Sequence, residues 1–182
     1  MAKIDDEHTK LTEASAFLVE NISLLPRGKV LDLAMGGGRN AVYLAWMGFK
    51  VEGVDVSKEA VESAQMLADS HGVKFNAHIV DLELGYKIPP EEYDVIICFN
   101  YLQRSLLQDI RNGVKRGGVV VYETYIVDQA QYGKPKNPDH LLKHNELLDV
   151  FRDFRCLRYR EGLFQDTRRL KAIASIVAQK SE

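Results

Sequence analysis

The sequence predicts an α/β fold with a doubly wound, mostly parallel, seven-stranded sheet and helices on both faces. Five short apolar runs alternate with helical patterns between residues 29 and 126, which is typical of βαβ units and therefore of a parallel sheet. Two further strand-like runs follow near the end with no helix between them, so we expect these two to pair antiparallel. Glycines and prolines separate the runs, as turns require.

The composition is typical of one globular domain, which we expect to span residues 1–182. The chain is 46% hydrophobic and 27% charged, and its 24 Lys and Arg against 26 Asp and Glu give a net charge of −2. This near-neutral balance argues against a dedicated nucleic-acid binder, and no apolar stretch is long enough for a membrane span. The charged first residues contain no apolar signal segment, and the two cysteines form no CxxC pair. We therefore expect a cytoplasmic protein, as a monomer or homodimer.

The predicted elements begin with a helical N-terminal cap over residues 1–28. Apolar positions between residues 11 and 25 recur at helical spacing, and Pro26 and Gly28 end the pattern. A cofactor-binding core should follow over residues 29–126, in which Ser57 caps a helix. Its predicted elements are, in chain order, a strand at 29–35, a helix at 39–47, a strand at 50–56, a helix at 57–72, strands at 73–80 and 93–99, a helix at 103–114, and a strand at 119–125.

The last third of the chain has a different character. Residues 127–145 are polar and turn-forming, and this segment is too long for an ordinary connection, so we interpret it as a substrate loop or lid. Residues 146–182 should then supply a C-terminal helix and a strand pair. The strands are predicted at 156–160 and 170–178, joined by a turn that contains Gly162 and Asp166.

A glycine turn marks the predicted ligand site. The first strand ends in Gly36, Gly37 and Gly38, and a helix starts at once at Arg39. Glycines let a ligand approach the backbone closely, and the helix start favours anionic groups at the sheet edge where ligands of open α/β folds bind. The second strand ends in Asp55, 19 residues after Gly36, where a carboxylate can accept both hydroxyls of a ribose. The glycines also satisfy the GxGxxG/A pattern, so an NAD(P)-dependent oxidoreductase is an alternative.

Asp32 adds a second signal to the glycine turn. It lies inside an apolar strand expected to be buried on both faces, where an unpaired carboxylate is costly, so it should reach the glycine loop or a ligand. The pattern Asp32-x-Ala34-x-Gly36-x-Gly38 resembles the first motif of class I S-adenosylmethionine-dependent methyltransferases. That family has a Rossmann-like fold and usually carries a glycine where this chain has Ala34.

The resemblance continues along the chain in register. By analogy with the family, the second strand end would hold the ribose and adenine, the third would contact the adenine, and the fourth would line the methionine part. The residues at these places are Asp55 and Val56, Asp81 and Leu82, and Asn100. The GGGRN run, Tyr43-Leu44-Ala45 and Ser15-Ala16-Phe17-Leu18 resemble more narrowly the methyltransferases related to tellurite-resistance proteins.

The resemblance implies S-adenosylmethionine as the cofactor and transfer of its methyl group to a small-molecule or small-anion acceptor. In such a reaction the protein mainly aligns the two partners, so no catalytic triad is expected. The length leaves little room for a separate substrate domain, which favours a small acceptor. Two alternatives stay open: the NAD(P)-dependent oxidoreductase above and a non-catalytic S-adenosylmethionine-binding domain.

Several side chains are candidates for the pocket. Arg39, at a helix start where a cation is mildly unfavourable, would pair with the cofactor carboxylate or an anionic substrate, or would be an ordinary surface arginine. Tyr101 and Arg104 follow the fourth strand at the ligand edge, and Tyr125 ends the fifth strand at the same edge. Glu123 interrupts the apolar fifth strand, as Asp32 interrupts the first.

Histidines and cysteines give weaker signals. His140 and His144 are four residues apart with Asp139 nearby, but the segment offers no well-spaced third ligand, so we expect no metal site. Cys98 and Cys156 both lie in strand-like runs and are interpreted as buried small apolar residues.

Overall fold

The structure is a computed structural model that describes residues 13–166 and 169–181. The first apolar positions of the predicted N-terminal cap, such as Leu11, lie outside the described residues.

The described residues form one sheet of seven strands in the order β3-β2-β1-β4-β5-β7-β6. Strands β1 to β5 pair in parallel, and β7 lies antiparallel between β5 and β6. The predicted fold class, including the antiparallel C-terminal pair, is confirmed. The strand bounds are β1 Lys29–Leu33, β2 Lys50–Asp55, β3 Asn76–Ile79, β4 Tyr93–Phe99, β5 Val114–Tyr125, β6 Arg155–Asp166 and β7 Arg169–Gln179.

Five α-helices occur within the described ranges, and the predicted cap of one of them is confirmed. The Ser57 hydroxyl accepts a hydrogen bond of 3.1 Å from the backbone N–H of Ala60, at the start of the longest helix. The α-helices are α1 Ala16–Glu20, α2 Arg39–Trp46, α3 Lys58–Ser70, α4 Leu107–Gly113 and α5 Glu146–Val150. Short 3-10 helices lie at Ile22–Leu24, Arg104–Leu106, Val127–Gln131 and Pro138–His140.

The core consists of two apolar layers, one on each face of the sheet. Successive residues of a strand point to opposite faces, so Leu31 and Leu33 enter the layer that contains α4 and α5, while Val30 enters the layer against α1 and α2. Both faces of the sheet are covered at β4, whose residues Val95 to Phe99 form a buried apolar run. The carboxyl ends of β1, β2, β4 and β5 therefore meet at one edge of a rigid support.

Three predicted boundaries in the second half of the chain are wrong. Strand β5 starts at Val114 rather than residue 119, because the chain passes Gly117 with φ +73° and re-enters the ladder after a register shift. The helix predicted at 103–114 begins as a 3-10 turn. The predicted turn around Gly162 is strand: Gly162 pairs with Ile173, and the hairpin continues to Asp166 opposite Arg169.

The cysteine prediction is half right. Cys98 is buried in β4, where desolvation raises its thiol pKa to about 12. Cys156 is exposed, because it lies on the edge strand β6, which has a neighbour on one side only. Among the helices of the described ranges, none has both the length and the apolar surface that a membrane span needs.

Candidate functional site

The glycine turn joins β1 to α2 and contains two kinds of glycine. Gly38 has φ +78°, and an added Cβ there would lie 2.5 Å from the Cβ of Ala64, so Gly38 lets α3 pack closely against the turn. An added Cβ at Gly36 or Gly37 would meet nothing within 4 Å. Two of the three glycines therefore leave open space beside the backbone, which is what a ligand lying against the turn requires.

Asp55 ties the end of β2 to this turn. Its Oδ2 accepts a hydrogen bond of 2.8 Å from the Gly36 N–H, and its Oδ1 accepts one of 2.9 Å from the Ser57 N–H. An ionised carboxylate has about four acceptor sites, so both oxygens can still accept hydrogen bonds from a ligand. The structure thus brings together the strand ends that the sequence separates by 19 positions.

Asp32 lies under the turn and is only 2% exposed. Its Oδ2 finds no hydrogen-bond partner among the described residues. Desolvation raises the pKa of this carboxyl to about 8, and the charge of Asp55 adds to the shift, while the Arg39 guanidinium and the Ala41 backbone oppose it. Asp32 is therefore mostly protonated at neutral pH, and its Oδ2 is a buried polar atom that no described residue hydrogen-bonds.

A cavity of about 560 Å³, which we call the glycine-loop cavity, opens above these residues. Its walls include five of the predicted cofactor-binding residues, namely Asp32, Ala34, Gly36, Arg39 and Asn100, together with Gly37 and Tyr101. Gly38 packs against α3 instead. The Arg39 guanidinium donates one hydrogen bond of 3.0 Å, to the Glu13 carbonyl, and the side chain lines the cavity.

The predicted adenine side of the site is built from β2 and the segment after β3. Val56 is an exposed apolar side chain, with 62% of its surface accessible, and Leu82 is buried. Asp81 Oδ1 accepts a hydrogen bond of 2.9 Å from the Glu83 N–H. Burial raises the pKa of the Tyr101 hydroxyl to about 12, and the nearby charges of Glu83, Asp81 and Asp55 add to the rise.

A second cavity of about 600 Å³ adjoins the first, and Asn100 and Tyr101 line both. We call it the loop cavity, because residues of the predicted substrate loop form one wall. Its lining contains two of the predicted pocket residues, Tyr101 and Tyr125. The remaining lining residues are Leu102, Lys134, Pro135, Lys136, Asn137 and His140.

Arg104, the third predicted pocket residue, is engaged elsewhere. Its guanidinium holds the Glu146 carboxylate at 2.7 and 2.9 Å and donates to the carbonyls of Asp139 and Leu141. The side chain therefore fastens the loop to α5 and is absent from the lining of either cavity. A single sequence carries no signal for this pairing, because Glu146 is 42 positions away.

A polar network lies on the other side of the glycine-loop cavity, around Glu123. Glu123 accepts hydrogen bonds from the hydroxyls of Ser175 at 2.6 Å and Ser15 at 3.3 Å, and its carboxylate pairs with Arg160 at 3.2 Å. The Arg160 guanidinium lies 4.7 Å from the ring centres of both Phe17 and Phe164. The isolated acid in an apolar strand was the sequence signal for this network, but its partners could not be read from the sequence.

The two histidines of segment 127–145 have different surroundings. His140 lines the loop cavity, whereas His144 Nε2 lies 2.5 Å from Asp128 Oδ2, which raises the pKa of that imidazole. Among the residues that the structure describes, no group of three or more His, Cys, Asp or Glu side chains is arranged to hold a metal ion.

Known proteins resemble this chain in sequence and in fold. The family model described as Tellurite resistance protein TehB matches residues 4–172. The chain belongs to the TehB family. The crystal structure of TehB from Haemophilus influenzae superposes with a TM-score of 0.81 at 20% identity, covering 97% of this chain and 67% of that one. The predicted resemblance and the Rossmann-like fold are thereby confirmed.

Two further proteins that resemble this TehB-family chain are described as methyltransferases. A ubiquinone biosynthesis O-methyltransferase of Vibrio cholerae is 32% identical over 113 residues, which cover 59% of this chain and 46% of the relative. The chain thus spans about half the length of the curated relatives it matches. The magnesium protoporphyrin IX methyltransferase of Synechocystis PCC 6803, solved with bound S-adenosylhomocysteine, superposes with a TM-score of 0.67 at 18% identity, covering 96% of this chain and 83% of that one.

Proposed function

We propose that the protein is an S-adenosylmethionine-dependent methyltransferase that acts on a small acceptor. The observation that carries the proposal is the glycine-loop cavity, where open space beside Gly36 and Gly37 meets the unpartnered Oδ2 of Asp32. An orphaned buried acceptor is costly unless a ligand donor satisfies it. The α-ammonium group of the cofactor is such a donor, and its positive charge would favour the ionised form of Asp32, so the residues present fit this group.

Each end of the cofactor has a matching group on the chain. Asp55 would accept the ribose hydroxyls, while Val56, Asp81 and Leu82 would hold the adenine. Asn100 and the glycine turn would line the methionine part, and Arg39 would pair with its carboxylate. When bound, the cofactor supplies a methyl group on a sulfonium, whose departure as a neutral thioether needs no help from an acid.

The residues around the acceptor would act by positioning. Burial raises the pKa of Tyr101 to about 12, so its hydroxyl stays protonated and is no base at neutral pH. Both oxygens of Glu123 already accept hydrogen bonds. Alignment of two reactants can supply about 7–11 kcal/mol of the barrier, and an acceptor that is deprotonated at working pH requires no general base. The description of the matched family names tellurite, so an inorganic oxyanion is one candidate acceptor, with residues 127–145 as the substrate loop.

Isothermal titration calorimetry with S-adenosylhomocysteine tests the proposal. We expect saturable binding of S-adenosylhomocysteine and none of NADH or NADPH. The opposite result would favour the oxidoreductase alternative and refute the proposal. Binding without turnover on any acceptor would instead identify a non-catalytic cofactor-binding domain.

The variant Asp55→Ala tests whether the cofactor binds at the glycine turn. We expect about 10- to 100-fold weaker binding of S-adenosylhomocysteine, because hydrogen bonds to a charged group contribute roughly 1.5–3 kcal/mol and the variant also releases the Gly36 N–H. The control is Glu62→Gln on the outer face of α3, which should bind normally. Unchanged affinity in Asp55→Ala would place the cofactor elsewhere.

A further inference from the structure

The walls of the loop cavity are mainly aromatic and aliphatic. Tyr101 and Tyr125 come from the ends of β4 and β5, Leu102 is buried beside them, and Pro135 closes the cavity from the loop side. A cavity of about 600 Å³ with such walls fits a drug-sized molecule whose body is apolar. A small inorganic ion would leave most of this surface uncovered.

The rim of the same cavity is cationic. Lys134 and Lys136 are exposed lining residues, and His140 adds a ring nitrogen that can donate a hydrogen bond. The described lining residues include no carboxylate. Two acids of this region are engaged in ion pairs, Glu146 with Arg104 at 2.7 Å and Asp128 with His144 at 2.5 Å. The rim therefore attracts anions and repels cations.

The cavity around Glu123 is a weaker candidate for an acceptor. It also adjoins the glycine-loop cavity, through Glu13, Arg39 and Asn100. Its central carboxylate, however, receives two hydroxyl hydrogen bonds and an arginine, and that arginine lies against two phenyl rings. Groups that satisfy one another in this way have little left to offer a ligand. Their contacts join the start of α1 to strands β5, β6 and β7.

We propose that the loop cavity binds the methyl acceptor, and that this acceptor is a small molecule with a planar, mainly apolar body and an anionic group. The body would lie against Tyr101 and Tyr125, and the anionic group would face Lys134 and Lys136. The acceptor atom would point to Asn100 and Tyr101, which line both cavities. This inference rests on the proposed function and names the acceptor class for it.

Methyl transfer to such an acceptor is a single displacement at the methyl carbon. A lone pair on its nucleophilic atom forms a bond to the methyl carbon while the carbon–sulfur bond breaks, and the electron pair of that bond stays on sulfur. If the nucleophile is a hydroxyl group, its proton passes to water.

The test compares three probes on the full chain saturated with S-adenosylhomocysteine, so that the glycine-loop cavity is filled. The probes are 3,4-dihydroxybenzoate, its uncharged amide and acetate, each titrated by calorimetry. We expect the benzoate to bind roughly three- to tenfold more tightly than the amide, as two partly exposed charge pairs allow, and acetate not to bind measurably. The preference should shrink in 0.5 M salt, because salt screens exposed charges.

Two variants test whether the preference for the benzoate over the amide arises in the loop cavity. Lys134→Gln with Lys136→Gln should remove the difference between benzoate and amide, and Tyr125→Leu should weaken both probes alike. The matched control is Lys74→Gln, an exposed lysine that precedes β3, away from the loop cavity, and it should leave all affinities unchanged.

Equal binding of benzoate and amide, or acetate binding as well as benzoate, would overturn the inference. So would loss of the preference in Lys74→Gln. Absence of S-adenosylhomocysteine binding would refute the proposed function and this inference together. Binding of S-adenosylhomocysteine without binding of the benzoate would refute this inference alone.

Discussion

At the scale of single residues, Asp32 makes the stability of the protein depend on pH. Burial raises its pKa in the folded chain to about 8, whereas an unfolded aspartate titrates near 3.9. Between these values the folded state binds a proton that the unfolded state has lost. The stabilisation is therefore complete below about pH 4 and is lost as pH rises through about 8.

We expect Asp32→Asn to show a smaller decrease in the free energy of unfolding between pH 5 and pH 9 than the natural protein. Asparagine keeps the shape of the protonated carboxyl but does not titrate in this range. Urea unfolding at pH 5, 7 and 9 measures the effect. Identical pH slopes for the two proteins would show that Asp32 is ionised across the range.

Ala34 is a residue in a conformation that suits glycine. Its φ is +52°, in the left-handed region that costs a residue with a Cβ about 1–2 kcal/mol. Glycine avoids this strain but loses about 0.5–1 kcal/mol through backbone entropy. We expect Ala34→Gly to stabilise the fold by roughly 0.5–1 kcal/mol, measured by the urea midpoint. The contrasting variant Ala41→Gly, inside α2, should destabilise it; a loss of stability in Ala34→Gly would contradict the strain argument.

At the scale of elements, the segment 127–145, the proposed substrate loop, is fastened at both ends. A bridge joins Ile126 to Leu142, with hydrogen bonds of 2.9 Å between Val127 and Leu142 and between Leu142 and Tyr125. Arg104 then links the segment to α5. The loop thus leaves the sheet and returns to it at nearly the same place, which sets Lys134 and Lys136 over the carboxyl ends of β4 and β5.

We expect Arg104→Ala to increase amide hydrogen exchange at residues 139–146, because the variant removes two carbonyl contacts and the Glu146 pair. Cofactor affinity should stay unchanged, since Arg104 does not line the glycine-loop cavity. Arg111→Ala is the matched control, because Arg111 in α4 pairs at 2.7 Å with Asp153, which lies outside residues 139–146. Faster exchange at 139–146 in Arg111→Ala as well would mean that the effect is not local.

Much of the element order could be predicted from the sequence, and the errors have local causes. The strand Tyr93–Phe99 is predicted with its observed bounds, because it is apolar at every position except Asp94, and such a run needs no partner to be recognised. The hairpin turn was misplaced because Gly162 with φ +143° lies within a strand, held there by pairing with Ile173. The bulge at Gly117 was missed for the same reason, since it depends on the register with β4.

At the scale of the whole molecule, cofactor binding should couple to global stability. A ligand that binds only the folded state at 100 times its dissociation constant adds about 2.7 kcal/mol, which raises the midpoint of a protein of this size by roughly 5–10 °C. We expect this shift in thermal unfolding with S-adenosylhomocysteine and none with adenine alone at the same concentration. Equal shifts for the two compounds would indicate that the ribose and methionine contacts contribute nothing.

The sequence by itself determined the α/β class, the strand order along the chain, the glycine turn and the acids beside it. These features follow from apolar spacing, helix caps and turns, which depend on interactions between residues a few positions apart. Only the tertiary structure decided that Arg104 fastens the loop, that Glu123 joins Ser15 from 108 positions away, and that the loop lysines face Tyr101 and Tyr125. Those contacts depend on which distant segments the sheet brings side by side, and no local pattern encodes that pairing.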